Sequence, residues 1–496
     1  NYHTPVSHVP AQFDSSATSF AASAISAAAS SVQPDMTKWW SALHDAELDS
    51  LVDRAVKANP DVQLALDRLQ AARTYEIAVV GAVLPDVEAS GAVARGTGSD
   101  LSRGRATQRL DSADSASGLQ HINVLGGFDA VWEIDLFGQY RREIQAARAS
   151  FQGRIAERNA VLVAVIADVT RAYIDLRGLQ SRAAVLRNAQ GILQKSADIT
   201  HERFNRGITN ELDVTLADRE LALVRSQLAP VEAAVSAAQY TIATLLGAYP
   251  EDLVQELTPA AMVPAVPSTI STGVPLDLLR RRPEIIQAER DLAVATARIG
   301  VATANLFPQV SISAAIGYQR QGLGAAPVLG QHIWAAGPGA IWPLLDFGAL
   351  DAQVEIADLQ ARSQLITYKR TIQNAVREVD TAARTFSAEQ ARVQDLADAL
   401  TASERAVTLA TERYDRGLTD FLNVIDAQRQ QYDIEAQYTD AQVAVAEQFV
   451  ALYRSLGGGW QDYQTLPAPY VPQPAVLAMF HRLLSHDRAL DDAPQP

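Results

Sequence analysis

The chain has 496 residues, with 42 Lys or Arg against 57 Asp or Glu, a formal charge of −15, and no cysteine. That length allows a large core or a long assembly. The acidity speaks for solubility and against a nucleic-acid partner, whose phosphates need a basic surface, and the missing thiols exclude disulfides, thiolate catalysis and Cys-ligated metals in this chain. No run of about 18 apolar residues occurs, so no membrane-spanning helix is expected, and no signal peptide is legible.

In chain order, residues 1–38 read as an extended arm, rich in Ser and Ala without periodicity over 11–35. Helical signals begin at Trp39-Trp40. Asn59-Pro60-Asp61 places a side-chain acceptor at the cap, proline at the first helical position and an acid in the first turn. That helix runs to about Gly81 and stops before Pro85. A β-hairpin is expected over 86–137, with the polar stretch Gly96 to Gly118 as a long exposed loop. Ile122, Val124, Phe128, Ala130, Trp132, Ile134 and Leu136 alternate there with Asn123, Asp129, Glu133 and Asp135.

After Gly138 the period becomes helical. Leu162, Val165, Val169, Ala172, Leu176, Leu179, Ala183 and Leu186 are spaced three and four in turn, which predicts coiled-coil packing. A helix over 139–205 would be about 100 Å long. It should end at the Arg203-Phe204-Asn205-Arg206-Gly207 turn, because glycine accepts the left-handed cap, and a second helix returns over 210–246. A linker follows at 248–275.

The chain then repeats itself. Arg203 through Thr209 returns as Arg413-Tyr414-Asp415-Arg416-Gly417-Leu418-Thr419, a shift of 210 that also carries Val214 onto Val424, Arg219 onto Arg429 and Trp132 onto Trp342. A shared shift over so long a stretch is a duplication: a first unit at 39–247 and a second at 276–457. Pro85 maps onto Pro308 at a shift of 223, so the first copy carries 13 more residues in its hairpin. The second copy opens on Arg282-Pro283-Glu284 and has a hairpin at 309–347 and long helices at 349–415 and 420–456. Val310, Ile312, Ala314, Ile316 and Tyr318 alternate with Ser311, Ser313, Ala315 and Gly317. Ile372, Ala375, Val379, Ala382, Phe386, Val393, Leu396 and Leu400 continue the heptad, broken once at Glu389. Residues 458–496 form a Pro-rich tail with one short amphipathic stretch near Leu477 to Leu484.

Alternation of this kind fits a soluble half-buried sheet, which it favours when taken alone, and also a transmembrane barrel. Four strands cannot close a barrel, since small barrels need about eight, so closure by several chains is the natural answer to the exposed edges. The search for catalysis is empty: the eight His are scattered, His481 and His486 lack a third ligand, and no phosphate loop, nucleophile motif or Rossmann glycine pattern occurs. Neither an enzyme nor a cofactor or metal is expected. A soluble coiled-coil scaffold is the rival from another class. It predicts polar residues on both strand faces, whereas one face here is apolar with tryptophans.

These motifs bring a resemblance into view. The chain resembles the TolC-type outer-membrane efflux factors, in the lipoprotein branch that supplies ducts to tripartite pumps, over roughly residues 39–460. The residues that carry it are Trp39-Trp40 with Asn59-Pro60-Asp61, Trp132 to Gly138, Arg281 to Ile285 with Ala288-Glu289, Ile299 to Ala302 with Leu306-Phe307-Pro308, Trp342 to Gly348, and Tyr414 to Arg429. Each is weak alone; their order and spacing together are specific. The resemblance implies a mainly α fold with a transmembrane β-barrel part. Three chains would close a twelve-stranded barrel in the lipid of a Gram-negative outer membrane, and their coiled coils would form an α-helical tunnel across the periplasm. It implies a periplasmic adaptor and an inner-membrane pump of the RND type as partners, and passive export of small molecules such as drugs. Protein secretion and metal efflux use similar ducts, and the lack of a His- or Met-rich lining speaks against metal export. The family is typically made with a signal peptide and often a lipidated Cys; Asn1-Tyr2-His3-Thr4-Pro5 is similar to residues that follow such a Cys, which is expected just upstream.

For sites, the resemblance implies adaptor docking at the turns, Gly207 and Gly417, flanked by Arg203, Arg206, Arg413 and Arg416. Helix capping and the helix dipole account for the same residues without a partner. It also implies a periplasmic gate built from Tyr414, Asn423 and Asp426, with Asp213. Three copies of Asp426 would form a carboxylate ring, weaker here because Asn423 replaces an acid found in some members. Many members bridge the Asp213 position with an Arg at the position of Thr419, which this chain cannot do. A solvated acid near a helix start is the plain alternative for Asp213 and Asp426. The loops near Gly96 to Gly118 and Gln319 to Gly330 would face outside the cell.

Overall fold

The computed structural model describes residues 36–96, 121–267, 281–323 and 329–463. A 3-10 turn at Trp39–Leu43 leads into α1 (Ala46–Ala58), whose N-cap Asp45 accepts from the amides of Glu47 and Leu48 at 3.0 and 3.2 Å. Asn59 starts α2 (Pro60–Gly81) as its sequence suggests. Its side-chain oxygen accepts from the amides of Asp61 and Val62, and its amide donates to the Leu245 carbonyl at 2.7 Å. Strands β1 (Asp86–Gly96) and β2 (His121–Ile134) come next, followed by α3 (Gln139–Asn205) and α4 (Glu211–Leu245). Inside the expected linker lies α5 (Pro250–Leu257), which buries Leu253 and Leu257. Its start was legible in Tyr249-Pro250-Glu251-Asp252, with proline at the first position and two acids in the first turn. The second copy supplies α6 (Pro283–Ala304), β3 (Gln309–Leu323), β4 (Leu329–Ile341), α7 (Ala349–Asp415) and α8 (Phe421–Leu456). Both α3 and α7 have 67 residues, about 100 Å each.

The long helices turn at glycines with positive φ, Gly207 and Gly417 at 72° each. There Ile208 N–H donates to Arg203 C=O at 2.9 Å and Leu418 N–H to Arg413 C=O at 2.8 Å. This is the Schellman pattern, in which the residue after the glycine closes the last helical carbonyl. α3 lies between α4 and α8, and α8 lies between α3 and α7. Down the α3–α8 seam, Arg182 pairs with Asp440 at 2.8 Å, Arg171 with Glu447 at 3.5 Å and Arg454 with Asp168 at 3.2 Å. At Gly178 the two helices come so close that a Cβ would sit 2.4 Å from Val443 Cγ2.

Two apolar clusters hold this frame. The larger joins Trp39, Trp40, α1, the middle of α3, α5 and the ends of α4 and α8, with Trp39 stacked on Tyr453 at 5.3 Å between centroids. The smaller lies near the turns. The α3 stripe is buried as its spacing predicts, apart from a half-buried Leu179. The α7 stripe is buried from Ile372 to Phe386, whereas Val393, which packs against the larger cluster, and Leu396 and Leu400 are half-buried among the described residues. No helix among the described residues is long and apolar enough to cross a membrane. The amphipathic stretch near Leu477 and the loop from Thr97 to Gly118 lie outside the described residues.

Candidate channel wall and gate region

The four strands form one antiparallel sheet in the order β1-β2-β3-β4. Its register decides what each face carries, because residues directly opposite on neighbouring strands share a face. Phe128 pairs with Ile316 and Ile316 with Trp334; Trp132 pairs with Ile312 and Ile312 with Pro338; Ala130 pairs with Val87 and Ala314. That face is apolar from Val310 to Tyr318, roughly 27 Å at the antiparallel rise per residue, close to the height of an outer-membrane apolar band. Trp334 on it is 77% exposed. The other face carries Asp86, Glu88, Ser90, Asp129, Glu133, Ser311 and Ser313, with Val131, Ile333 and Ile341 among its apolar members. Ser90 donates to Asp129 at 3.1 Å and Tyr140 to Glu133. All four acids come from the first copy's strands. The outer edges of β1 and β4 have no strand partner among the described residues.

The sheet joins the helices through a duplicated contact. Trp132 donates its indole N–H to the carbonyl of Val83 at 3.0 Å, and Trp342 donates to that of Leu306 at 3.1 Å. Val83 and Leu306 are themselves equivalent, at the shift of 223 seen for the prolines. Below them, Phe137 stacks on Phe307 at 4.8 Å, and Leu344, Leu345 and Phe347 stand in the open, Phe347 at 99% exposure.

At the far end the two copies diverge. Tyr414 is buried at 8% exposure, and Phe421, Val424 and Ile425 pack with it against Leu193, Ala197, Leu221 and Val224 of the first copy. The first copy has Phe204 at the Tyr414 position, 40% exposed, and an exposed Glu211 at the Phe421 position. Arg203 lies over the Tyr414 ring, its Cζ 4.5 Å from the centroid. Asn423 and Asp426 are exposed, so the structure separates them from Tyr414. Asn423 donates to the Thr419 hydroxyl at 2.7 Å, and Asp426 pairs with Arg429 at 3.2 Å. Asp213 accepts from the Thr209 hydroxyl, so the Thr209–Asp213 and Thr419–Asn423 pairs are equivalent, and no arginine among the described residues bridges them.

Of the four tip arginines, Arg206 pairs with Glu202, Arg416 reaches Glu412 at 4.0 Å, Arg203 is taken up by Tyr414, and Arg413 is exposed. Exposed apolar side chains accompany them: Ile208 and Leu212, and at equivalent positions Leu418 and Leu422. Sequence reasoning missed three links between copies in this region. They are Arg203 with Tyr414, Gln428 donating to Ser196 at 3.2 Å, and Tyr432 donating to the buried Glu220 at 2.5 Å. A buried acid amid an apolar stripe was the one available signal, at Glu220.

A model of the outer membrane efflux protein family matches residues 51–248 and 274–458. Nodulation protein T of Rhizobium leguminosarum bv. viciae is 31% identical over 435 residues, which are 86% of this chain and 85% of the relative. The pyoverdine export outer membrane protein OpmQ of Pseudomonas aeruginosa is 28% identical over 445 residues, 88% of this chain and 90% of the relative. The solved structure of the outer-membrane channel OprN matches with a TM-score of 0.82 at 32% identity, over 93% of this chain and 99% of that chain.

Proposed function

The chain belongs to the outer membrane efflux protein family, an outer-membrane channel with a large helical periplasmic portion, and from that membership we propose that it is the passive exit duct of a tripartite pump. Three copies close the wall. Each brings a sheet with one apolar and one polar face and two unpaired edges, so β4 of one copy meets β1 of the next and three chains make a twelve-stranded barrel. The apolar face meets lipid, and the acidic face lines the bore. This two-faced, open-edged sheet is the observation that carries the reading.

The helical part supports the same assembly. α4 and α7 are the free edges of the helical layer, and α7 exposes Ile356, Leu359 and Ile366, spaced three and seven, the pattern of a coiled-coil seam awaiting a partner. On α2, Leu64 and Tyr75 are exposed as well. The tips at Gly207 and Gly417 dock a periplasmic adaptor, which joins the duct to an inner-membrane pump of the RND type. Energy comes from that pump. The cargo is a small molecule, consistent with a relative named for pyoverdine export. Tyr414, Asn423, Asp426 and Asp213 form the periplasmic gate.

The test is purification in detergent, mass measurement of the intact assembly and insertion into planar bilayers. A particle of three chains that conducts ions is the expected result. A water-soluble monomer with no affinity for detergent would overturn the proposal.

A further inference from the structure

We propose that Arg203 is a positioning residue for the gate: it holds the tip of the second copy against the first through the ring face of Tyr414. The inference rests on the gate reading above and names what fixes that gate in this chain.

The guanidinium carbon of Arg203 is 4.5 Å from the centroid of the Tyr414 ring, within the range where the negative face of an aromatic ring attracts a cation. No carboxylate pairs with Arg203 among the described residues, so the ring is its one charge-stabilising partner there. Tyr414 in turn tilts against Phe421 at 5.3 Å, and both rings sit in the apolar cluster that spans the two copies. Among the described residues the buried Tyr414 hydroxyl has no hydrogen-bond partner. What holds this tyrosine is therefore its ring, and the hydroxyl is a small liability, since a buried unpaired hydroxyl costs free energy.

Among the described residues the contact has no counterpart at the other tip. Arg413, the second-copy equivalent of Arg203, lies over no ring among the described residues, and Phe204, the equivalent of Tyr414, is exposed rather than buried. The ionic alternatives are spent locally: Asp213 accepts from Thr209, Asp426 from Arg429, and Thr419 offers no cation. The nearest other links between the copies, Ser196 with Gln428 and Glu220 with Tyr432, lie further from the turn. Arg203 on Tyr414 is thus the last tie before the free end, where a small displacement opens the tip most.

The experiment compares Arg203→Gln, Arg203→Lys, Tyr414→Leu, Tyr414→Phe and the double variant Arg203→Gln/Tyr414→Leu in planar bilayers, with amide hydrogen exchange over residues 411–426 in detergent as a second readout. Arg203→Gln and Tyr414→Leu should each raise closed-state conductance and tip exchange, by about two- to fivefold for loss of a partly exposed cation–π contact. Arg203→Lys should recover part of the loss, Tyr414→Phe should match the parent, and the double variant should add little to Tyr414→Leu. A Tyr414→Phe variant that opens as far as Tyr414→Leu would shift the role to the hydroxyl and overturn the proposal, as would parental conductance and exchange in Arg203→Gln. A conducting parent with either result leaves the duct reading standing; a parent that never conducts removes both.

Discussion

The indole N–H of Trp132 donates to the main-chain oxygen of Val83 at 3.0 Å, tying the last residues of a strand to the turn that precedes the hairpin. Trp342 and Leu306 repeat the tie at 3.1 Å. Each spans the junction between sheet and helix, so each fixes the angle at which one meets the other. Trp132→Phe keeps the ring and removes the donor. It should cost about 1 kcal/mol, the net worth of one such hydrogen bond, seen as a lower temperature for loss of the assembled form in detergent. An unchanged temperature in both Trp132→Phe and Trp342→Phe would show that the rings alone hold the junction.

Arg177 is 2% exposed, stacks over Tyr173 at 4.7 Å, and donates to Gln180 at 2.8 Å and the Pro259 carbonyl at 2.7 Å, with Glu47 as its ion-pair partner. It binds α1, α3 and the segment after α5 at one point. Burial holds the Glu47 carboxyl above its usual range, and Arg177 works against that rise. Arg177→Met should therefore destabilise the fold by about 3–5 kcal/mol, because it leaves a half-buried acid and a carbonyl without their cation. Guanidinium unfolding followed by the fluorescence of Trp39 and Trp40, in the same apolar cluster, measures it.

Asp175 on α3 and Glu447 on α8 share a hydrogen bond beside Arg171, and both carboxyls are raised, first by burial and for Glu447 next by the charge of Asp175. A raised folded value means the folded state holds protons that the unfolded chain has released. Stability from this pair is complete below the unfolded carboxylate range and is lost as pH rises through the raised values. The α3–α8 seam should loosen as pH rises above the ordinary carboxylate range. Glu447→Gln should flatten that slope and raise stability at pH 7, measured by thermal unfolding across pH 4.5–8. A slope as steep in the variant as in the parent would assign the dependence elsewhere.

Asp86, Glu88, Asp129 and Glu133 share the polar face of the sheet, with no cation on the described part of that face. A bore lined this way favours cations. Asp129→Asn with Glu88→Gln should lower the cation-to-anion permeability ratio, read from reversal potentials in a salt gradient, and leave the mass of the assembly unchanged. A constant ratio would place these acids away from the ion path.

Much of the fold was legible because the features that specify it are local. Asn59-Pro60 starts a helix by its own chemistry, Gly207 and Gly417 stop one, and the three-four spacing on α3 names its buried stripe. The alternation around Trp132 and Ile312 gave the strands but not their environment, since a half-buried soluble sheet and a barrel wall share one period. Motif order decided that. The links between copies were not legible. Arg203 and Tyr414 are 211 positions apart by their numbers, and nothing in either segment marks its partner. The outer end of the α7 stripe is covered less than its spacing suggests: Val393, Leu396 and Leu400 keep the heptad, yet among the described residues they are only half-buried.

The equal lengths of α3 and α7, 67 residues each between matched glycines, make the two copies a paired ruler. From the strand junction to the turn both measure the same distance, so their free ends come out level. An insertion of one heptad would keep the packing register, but placed in α3 alone it would leave a step at the rim that no side-chain change could fill. The reach of this chain is thus set jointly, and only matched edits in both halves and in both returning helices can alter it.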